Sequence, residues 1–117
     1  WYSMGTADML DVAFMGLHVG QLSSREDMAW CFDAVTQNSA SILGLDGYGL
    51  EKGCAANLVL LQARDKIEAI RLRAHRLAVV RAGKVIAHNS PIMTELSISG
   101  RSGPLDRAAY APHKGTE

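Results

Sequence analysis

The chain has 117 residues, which is enough for one domain of ordinary size. It carries 12 basic and 12 acidic side chains, and this balance excludes the electropositive surface or polybasic tail of a general nucleic-acid binder or of a protein that binds anionic membranes. With 48% hydrophobic and 21% charged residues, the composition is that of a globular protein and not of a disordered one.

Residues 1–43 predict two helices. From Thr6 to Leu22, apolar residues recur at helical spacing and occupy more than one face, which predicts a helix that packs on several sides. Thr6 is the predicted N-cap of this helix, and Asp8 and Asp11 lie near its positive end. These two aspartates lie three residues apart, and a role in capping is favoured over a role as an acid/base pair.

Ser23 and Glu26 form a capping-box pattern, which predicts the start of a second helix. This helix is expected to end at Leu43, with Gly44 as its C-cap. One apolar stripe is predicted to run along it through Met28, Phe32, Val35 and Ile42.

Residues 44–56 are rich in glycine and predict a connector between the helices and a strand-forming stretch at residues 57–99. Three short apolar runs predict strands at Asn57–Gln62, Leu77–Arg81 and Lys84–Ala87. Ala82 and Gly83 are expected to join the last two strands as a tight hairpin turn.

Between these strands, Asp65–Arg71 predicts one or two helical turns with Ile67 and Ile70 directed inward. Thr94–Ser99 alternates in polarity and predicts an edge strand. Glycine, proline, serine and charged residues dominate residues 100–117, and this composition predicts a poorly ordered tail.

Positive charge is concentrated between residues 62 and 84, where seven basic residues face two acidic ones. One interpretation is a solvated face, which is the more common role of such a stretch. The other is an ion-pair surface directed toward a subunit or toward the acidic first stretch. No aromatic residues interleave these charges, so a nucleic-acid platform is not expected.

No side chains in this sequence form a convincing catalytic or metal-binding motif. Histidines at positions 18, 75, 88 and 113 show no metal-ligand spacing, and Cys31 and Cys54 have none either. His18 is interpreted as a hydrogen-bonded core histidine, with a packing role beside an active site as the alternative. The two cysteines are interpreted as small buried hydrophobic residues in a reduced, cytoplasmic protein.

The chain begins abruptly with Trp1 and Tyr2, two large aromatic residues at a position where chains usually fray. The given sequence opens with neither an initiating Met nor a basic-then-apolar leader. This start suggests a piece of a longer protein.

Several motifs, taken in order, resemble the bacterial cytosine deaminases of the amidohydrolase superfamily. WYSMGTADML at Trp1–Leu10 and MGLHV at Met15–Val19 are similar to the segment that follows the last metal-binding strand in those enzymes. The second helix resembles the superfamily pattern in which a threonine and an alanine precede a Leu-Gly-Leu-like helix end. These residues are Val35 and Thr36, the run Asn38–Ala40 and the run Ile42–Leu45.

The resemblance continues to about residue 90. Tyr48–Leu50 and Gly53–Leu61 are similar to the point where the chain leaves the barrel, and Val80–Ala87 resembles the closing hairpin of a small β domain. Most of the superfamily has Asp where this chain has Asn57, and Asn is similar to the cytosine deaminase branch.

This resemblance implies an α+β fragment: the terminal helices of a (β/α)8 TIM barrel at residues 1–43, followed by the C-terminal part of a small β-sandwich domain. It implies hydrolytic deamination of cytosine or a related ring, in which a divalent metal, iron or zinc, activates water. The metal ligands would all precede Trp1, so this piece alone is expected to be inactive. Trp1 matches a tryptophan that lines the base pocket and is the one predicted substrate-binding residue; its alternative role is a hydrophobic plug between helix and barrel.

The resemblance also predicts a partner. The rest of the parent polypeptide, or a second copy of this chain, is expected to cover the inner faces of Met9, Phe14, Met28 and Phe32, and the intact parent is expected to be a homo-oligomer. Two other functions remain open: hydrolysis of an amine from a triazine or another pyrimidine, and a non-catalytic module for dimerisation or interaction. Binding to nucleic acid or to a membrane is not expected.

Overall fold

The computed structural model describes residues 5–100 and 103–105, where the chain is an α+β structure. In chain order the elements are α1 (Met9–Val19), α2 (Arg25–Asp33), a π-helical segment (Ala34–Asn38), α3 (Ser39–Ile42), β1 (Leu58–Leu61), α4 (Lys66–Leu72), β2 (Arg76–Arg81), β3 (Lys84–His88), β4 (Thr94–Leu96) and β5 (Gly103–Leu105). The expected α+β class is confirmed for these residues. No helix within them is both long and apolar enough to cross a membrane.

Helix α1 begins two residues later than predicted, because its N-cap is Asp8 and not Thr6. The Asp8 backbone is extended, and its carboxylate accepts a hydrogen bond from the Leu10 N–H at 2.8 Å. Ala7 has φ +57°, a left-handed conformation through which a right-handed helix cannot continue. Thr6 therefore lies outside the helix.

Helix α2 begins with a capping box formed by Ser24 and Asp27, one residue beyond the predicted pair. The Ser24 Oγ accepts from the Asp27 N–H at 3.0 Å, and the Asp27 carboxylate accepts from the Ser24 N–H at 3.1 Å. Ser23 and Ser24 are each followed three residues later by an acidic residue, so the sequence offers two registers. The structure adopts the second.

The predicted second helix is not regular, since a π-helical segment separates α2 from α3. The Thr36 hydroxyl donates to the Phe32 carbonyl at 2.8 Å, and the Ser39 hydroxyl donates to the Ala34 carbonyl at 2.6 Å. A π turn adds residues to the helical repeat and rotates the later part of the helix by about 100° per added residue. For this reason the predicted stripe does not extend to Ile42, which is 85% exposed.

Gly44 closes this helical region, as predicted. Its φ is +61°, and it follows Leu43, the C-cap of α3. The Leu45 N–H donates to the Ala40 carbonyl at 2.9 Å and the Gly44 N–H donates to the Ser41 carbonyl at 3.1 Å. These two bonds form a Schellman motif, which requires the left-handed conformation that glycine adopts at little cost.

The strands β1, β2 and β3 form an antiparallel sheet in that order, close to the predicted bounds. Val59 pairs with Val79, and Val79 pairs with Ala87. Ala82 and Gly83 have φ of +47° and +74°, the positive values of a type I′ turn, so the predicted hairpin is confirmed.

Three helices meet at the core. Ala13 and Leu17 from α1, Cys31 from α2 and Ile70 from α4 form one buried cluster. Ile70 has no exposed surface and Ile67 is buried as well, so both isoleucines of α4 point inward as predicted. Helix α4 has only seven residues, so it depends on this packing for its stability.

Strand β4 is shorter than predicted and pairs antiparallel with β5. Strand β5 at Gly103–Leu105 lies within the stretch that was expected to be a poorly ordered tail, so that expectation is wrong for these three residues. The remainder of that stretch, apart from Gly100, lies outside the described residues.

Large apolar side chains remain on the surface of both parts of this structure. On α1, the face opposite the core carries Met9, Val12, Met15 and Val19, which are 50–81% exposed. On the sheet, the adjacent residues Val59 and Leu60 of β1 are 52% and 58% exposed, so neither face of this strand is covered. An exposed apolar surface of this extent is typical of an interaction site.

Candidate functional site

Trp1, the predicted substrate-binding residue, lies outside the described residues. The described chain begins at Gly5, and the residues Gly5–Asp8 lead into α1. The side chains around the start of α1 are therefore taken first.

Asp8 is held by an arginine from the sheet. Two guanidinium nitrogens of Arg76, the first residue of β2, donate to the two carboxylate oxygens of Asp8, and one of these oxygens also accepts from the Leu10 N–H. The Asp8 side chain is only 16% exposed. A bidentate pair of this kind fixes orientation as well as distance.

The next acidic residue of α1 has an arginine partner too. The Arg73 guanidinium lies 3.8 Å from the Asp11 carboxylate, and its Cζ atom lies 5.3 Å from the centroid of the Phe14 ring. The Thr6 hydroxyl donates to Asp11 at 3.2 Å. Two arginines from the junction of α4 and β2 therefore contact the first turns of α1.

The ion pair with Arg76 fixes the charge state of Asp8. Hydrogen bonding from Arg76 is the main cause that lowers the pKa of Asp8 below its ordinary value, against the effect of burial. The same pair raises the pKa of Arg76. Asp8 is consequently a permanent anion at neutral pH, which suits a cap and an ion pair but not a general acid or base.

The positive stretch between residues 62 and 84 forms further ion pairs, one of which also reaches the first stretch. Lys66 donates to Asp33 of α2 at 2.8 Å. Arg64 pairs with Glu68 at 2.8 Å, and this bond is the main cause that lowers the pKa of Glu68. The interpretation as an ion-pair surface toward the first stretch is therefore confirmed for Lys66, Arg73 and Arg76, whereas Arg64 pairs within its own stretch.

The hydrogen bonds of His18 and His75 go to backbone carbonyls and not to these charged side chains. His18 is exposed, and its Nδ1–H donates to the Phe14 carbonyl at 2.9 Å, so the interpretation as a core histidine is wrong. His75 is half-buried in a loop, with its Nε2 at 3.2 Å from the Ser90 carbonyl, and His88 is exposed at the end of β3.

Cys31 is buried in the core as predicted, whereas Cys54 is only half-buried. Burial raises the pKa of the Cys31 thiol. A protonated, enclosed thiol is a poor nucleophile, so its position supports a packing role.

A shallow cleft of about 150 Å³ lies between α4 and the segment before β4. Two of its polar side chains already make hydrogen bonds within the protein. Gln62 exchanges two hydrogen bonds with the backbone of Ile92, both at 2.9 Å, and Glu68 accepts from Arg64. This cleft offers no convergent polar groups of the kind that orient a small ligand.

Within residues 5–100 and 103–105, no three side chains of the metal-binding types lie close enough together to hold a metal ion. The described residues therefore do not fit the divalent metal that the resemblance implies, and no chemical step through a metal is assigned to them.

Asn57 has a structural role. Its side-chain oxygen accepts from the Ala82 N–H at 2.9 Å, and the Gly83 N–H donates to the Ala56 carbonyl at 3.2 Å. Asn57 therefore holds the hairpin turn of β2 and β3 against the start of β1.

Sequence reasoning missed Arg76 as an individual residue. The sequence indicated that Asp8 lies near a helix start, but the partner lies 68 residues further along the chain. The local excess of positive charge was the only available signal, and it does not distinguish one arginine from another.

The amidohydrolase family model matches residues 1–92, which is most of the chain. The chain belongs to the amidohydrolase family. The family expected from the motifs is therefore confirmed.

Among curated proteins, the chain is 30% identical over 94 residues to N-isopropylammelide isopropyl amidohydrolase of Pseudomonas sp. strain ADP. That match covers 80% of this chain and 23% of the relative. Among solved structures, 5-methylcytosine deaminase from Klebsiella pneumoniae, liganded with 5-fluorocytosine, is 35% identical with a TM-score of 0.74. That match covers 86% of this chain and 24% of the deaminase.

A third similar protein is N-isopropylammelide isopropylaminohydrolase from Burkholderia multivorans, at 32% identity and a TM-score of 0.72, with 76% of this chain and 23% of that chain covered. This amidohydrolase chain thus spans less than a quarter of the length of these relatives.

Proposed function

We propose that this chain is the C-terminal portion of a metal-dependent aminohydrolase that converts cytosine or a related ring to the oxo product and ammonia. The observation that carries the proposal is the similarity to 5-methylcytosine deaminase, at 35% identity over 86% of this chain. The order of the motifs from Trp1 to Ala87 supports the same branch of the family. The described helices are, on this proposal, the last helices of a (β/α)8 barrel, and β1–β3 belong to a small β sandwich.

The catalytic groups of the proposed enzyme lie outside this chain. The metal, iron or zinc, would activate water for attack on the carbon that bears the amine. Trp1 contributes a wall of the pocket for the base. Asp8 and Asp11 serve as cap and ion-pair partners and not in proton transfer on this proposal, because each carboxylate lies beside an arginine.

The uncovered apolar surfaces agree with a chain that is one part of a larger protein. Met9, Val12 and Met15 occupy the face of α1 opposite the core, where a barrel would pack. The exposed faces of β1 and β3 would receive the other strands of the sandwich. Assembly into a homo-oligomer and a cytoplasmic location are further parts of this proposal.

A second candidate is an aminohydrolase that acts on a triazine. The similarity to the two N-isopropylammelide hydrolases, at 30% and 32% identity, favours this alternative for the substrate while leaving the reaction class the same. A non-catalytic interaction module is the remaining alternative, and the family match over residues 1–92 disfavours it.

The test is an assay of the intact protein that contains this chain, loaded with Fe(II) or Zn(II). Ammonia release from cytosine and 5-methylcytosine is compared with isopropylamine release from N-isopropylammelide. Faster turnover of the pyrimidines supports the proposal, and faster turnover of the triazine identifies the second candidate. The aminohydrolase assignment is abandoned if none of the three substrates reacts with either metal.

Trp1→Ala provides the test for the pocket, with Trp30→Ala as the matched control because Trp30 is 60% exposed on α2. Loss of a stacking wall is expected to raise KM by about tenfold, equivalent to about 1.4 kcal/mol. An equal effect of both substitutions would contradict a pocket role for Trp1. The isolated 117-residue chain is expected to release no ammonia, and turnover above background would place catalytic groups within it.

A further inference from the structure

We propose that the junction between the helices and the sheet is an ionic latch, which closes α4 and the start of β2 onto α1 and α2 and opens about the short link Leu45–Gly47. The latch consists of three ion pairs: Asp8–Arg76, Asp11–Arg73 and Asp33–Lys66. It sets how often the buried cluster beneath these pairs is exposed to solvent. The latch is independent of the proposed function, because it consists of contacts between described residues.

The three ion pairs of the latch have the same polarity. The carboxylates all belong to the helices: Asp8 caps α1, Asp11 lies in its first turn and Asp33 is the last residue of α2. The cations all belong to the stretch from α4 to the start of β2. Opposite charge on the two sides fixes how the surfaces dock, because a displaced arrangement brings like charges together. The pairs therefore specify one closed position.

The cations of the latch are accessible enough for salt to act on them. Arg76 binds Asp8 through two nitrogens and is the strongest contact, but 38% of its side chain is exposed. The side chains of Lys66 and Arg73 are 43% and 60% exposed. Mobile ions screen pairs of this accessibility, whereas they do not screen a buried apolar contact. The closed state should therefore weaken as the ionic strength rises.

The apolar contact beneath the ion pairs is small. Among the described residues, its buried members are Ala13, Leu17, Cys31 and Ile70. Two of these side chains, those of Ala13 and Cys31, are themselves small, and α4 has too few residues to persist without its packing. The ion pairs consequently supply a measurable share of the free energy that keeps the junction closed.

The backbone provides a pivot between the two parts of the junction. Leu45 is tied to the helices, because its N–H donates to the Ala40 carbonyl at 2.9 Å. Gly47 is tied to the loop that enters β1, because its carbonyl accepts from the Ala55 N–H at 2.8 Å. Asp46 lies exposed between these two fixed points. A rotation at this link moves the sheet and α4 together, away from α1 and α2.

Thiol labelling measures the opening of the latch. Cys31 is buried at the junction, whereas Cys54 is half-buried in the loop and serves as an internal reference. The intact protein that contains this chain is labelled with a maleimide at neutral pH, and mass spectrometry of the peptides follows each cysteine separately. Raising sodium chloride from about 0.05 M to about 1 M should accelerate labelling of Cys31 relative to Cys54 by about tenfold.

Variants of α2 separate the ion pairs from a general effect of charge. Asp33→Asn removes one pair, and Glu26→Gln is the matched control, because Glu26 is exposed on the same helix and makes no ion pair among the described residues. Asp33→Asn should accelerate labelling of Cys31 about threefold at low salt, and Glu26→Gln should not. Asp33→Lys places like charges together and should open the junction further, whereas adding Lys66→Asp should restore slow labelling.

Several results would overturn the ionic latch. Labelling of Cys31 that responds neither to salt nor to Asp33→Asn would show that apolar packing alone closes the junction. Equal acceleration by Asp33→Asn and Glu26→Gln would assign the effect to overall charge, and failure of Lys66→Asp to restore slow labelling would exclude the pair as its cause. If Asp33→Lys does not fold, the salt series and Asp33→Asn still decide the question. Enzymatic turnover enters none of these measurements.

Discussion

Asp8 shows how one side chain can connect distant parts of this chain. Its carboxylate caps α1 and binds Arg76 at the start of β2, which lies 68 residues later in the sequence. The first function follows from a local pattern and was approximately predictable, since an aspartate was expected near the helix start. The second depends on where the sheet packs, and no local pattern contains that information.

The pair should make the stability of the chain depend on pH. Arg76 lowers the pKa of Asp8, so the folded state binds this proton less readily than the unfolded state. Its contribution is present above the unfolded pKa of about 3.9 and is lost as the pH falls through the lower folded value. Asp8→Asn should therefore cost about 1 kcal/mol at pH 7 and have a smaller effect below pH 3.

Urea unfolding followed by circular dichroism between pH 7 and pH 2 measures this difference. Glu68, whose pKa Arg64 also lowers, adds to the acid dependence of both proteins and cancels in the comparison. A difference between wild type and Asp8→Asn that stays constant with pH would contradict the role of the charge.

Ile70 is the most enclosed large side chain of the core. It has no exposed surface where α1, α2 and α4 meet, whereas Ile42 at the end of α3 is 85% exposed. Ile70→Ala should lower the free energy of unfolding by about 2–5 kcal/mol, because it removes buried atoms and leaves a cavity. Ile42→Ala is the matched control and should change it by less than about 0.5 kcal/mol. Equal effects in urea unfolding would show that the core lies elsewhere.

At the scale of elements, the strands and the Gly44 helix end were predictable, whereas the starts of α1 and α2 and the irregular turn between α2 and α3 were not. Short apolar runs and the Ala82–Gly83 turn determine β1–β3 locally, so their bounds agree with the structure to within about two residues. The helix ends depend on competing local choices. Two serines offered two capping registers before α2, and the π-helical segment at Ala34–Asn38 has no simple signature in the sequence.

The capping register of α2 has a direct test in two neighbouring serines. Ser24 accepts the Asp27 N–H in the capping box, whereas Ser23 is exposed and makes no hydrogen bond from its side chain among the described residues. Ser24→Ala should lower the free energy of unfolding by about 1 kcal/mol, and Ser23→Ala should change it by only a few tenths. A larger loss of stability for Ser23→Ala than for Ser24→Ala would instead support the Ser23 register that the sequence predicted.

At the scale of the whole molecule, the family was recognisable because it rests on ordered motifs, and the described structure agrees with it in its α+β class. The predicted site remains a prediction, since Trp1 lies outside the described residues and the metal ligands are proposed to precede it in the intact protein. The structure adds the ion-paired junction of α1 with α4 and β2, and the apolar surface of α1 that a larger protein would cover.

Reconstitution from two parts tests this account most directly. The upstream part of the intact protein, ending before Trp1, is produced separately and mixed with the 117-residue chain in the presence of Fe(II) or Zn(II). Formation of a complex in equal proportions, together with ammonia release that neither part gives alone, is the predicted result. Deaminase activity of the upstream part alone, unchanged when this chain is added, would contradict the account.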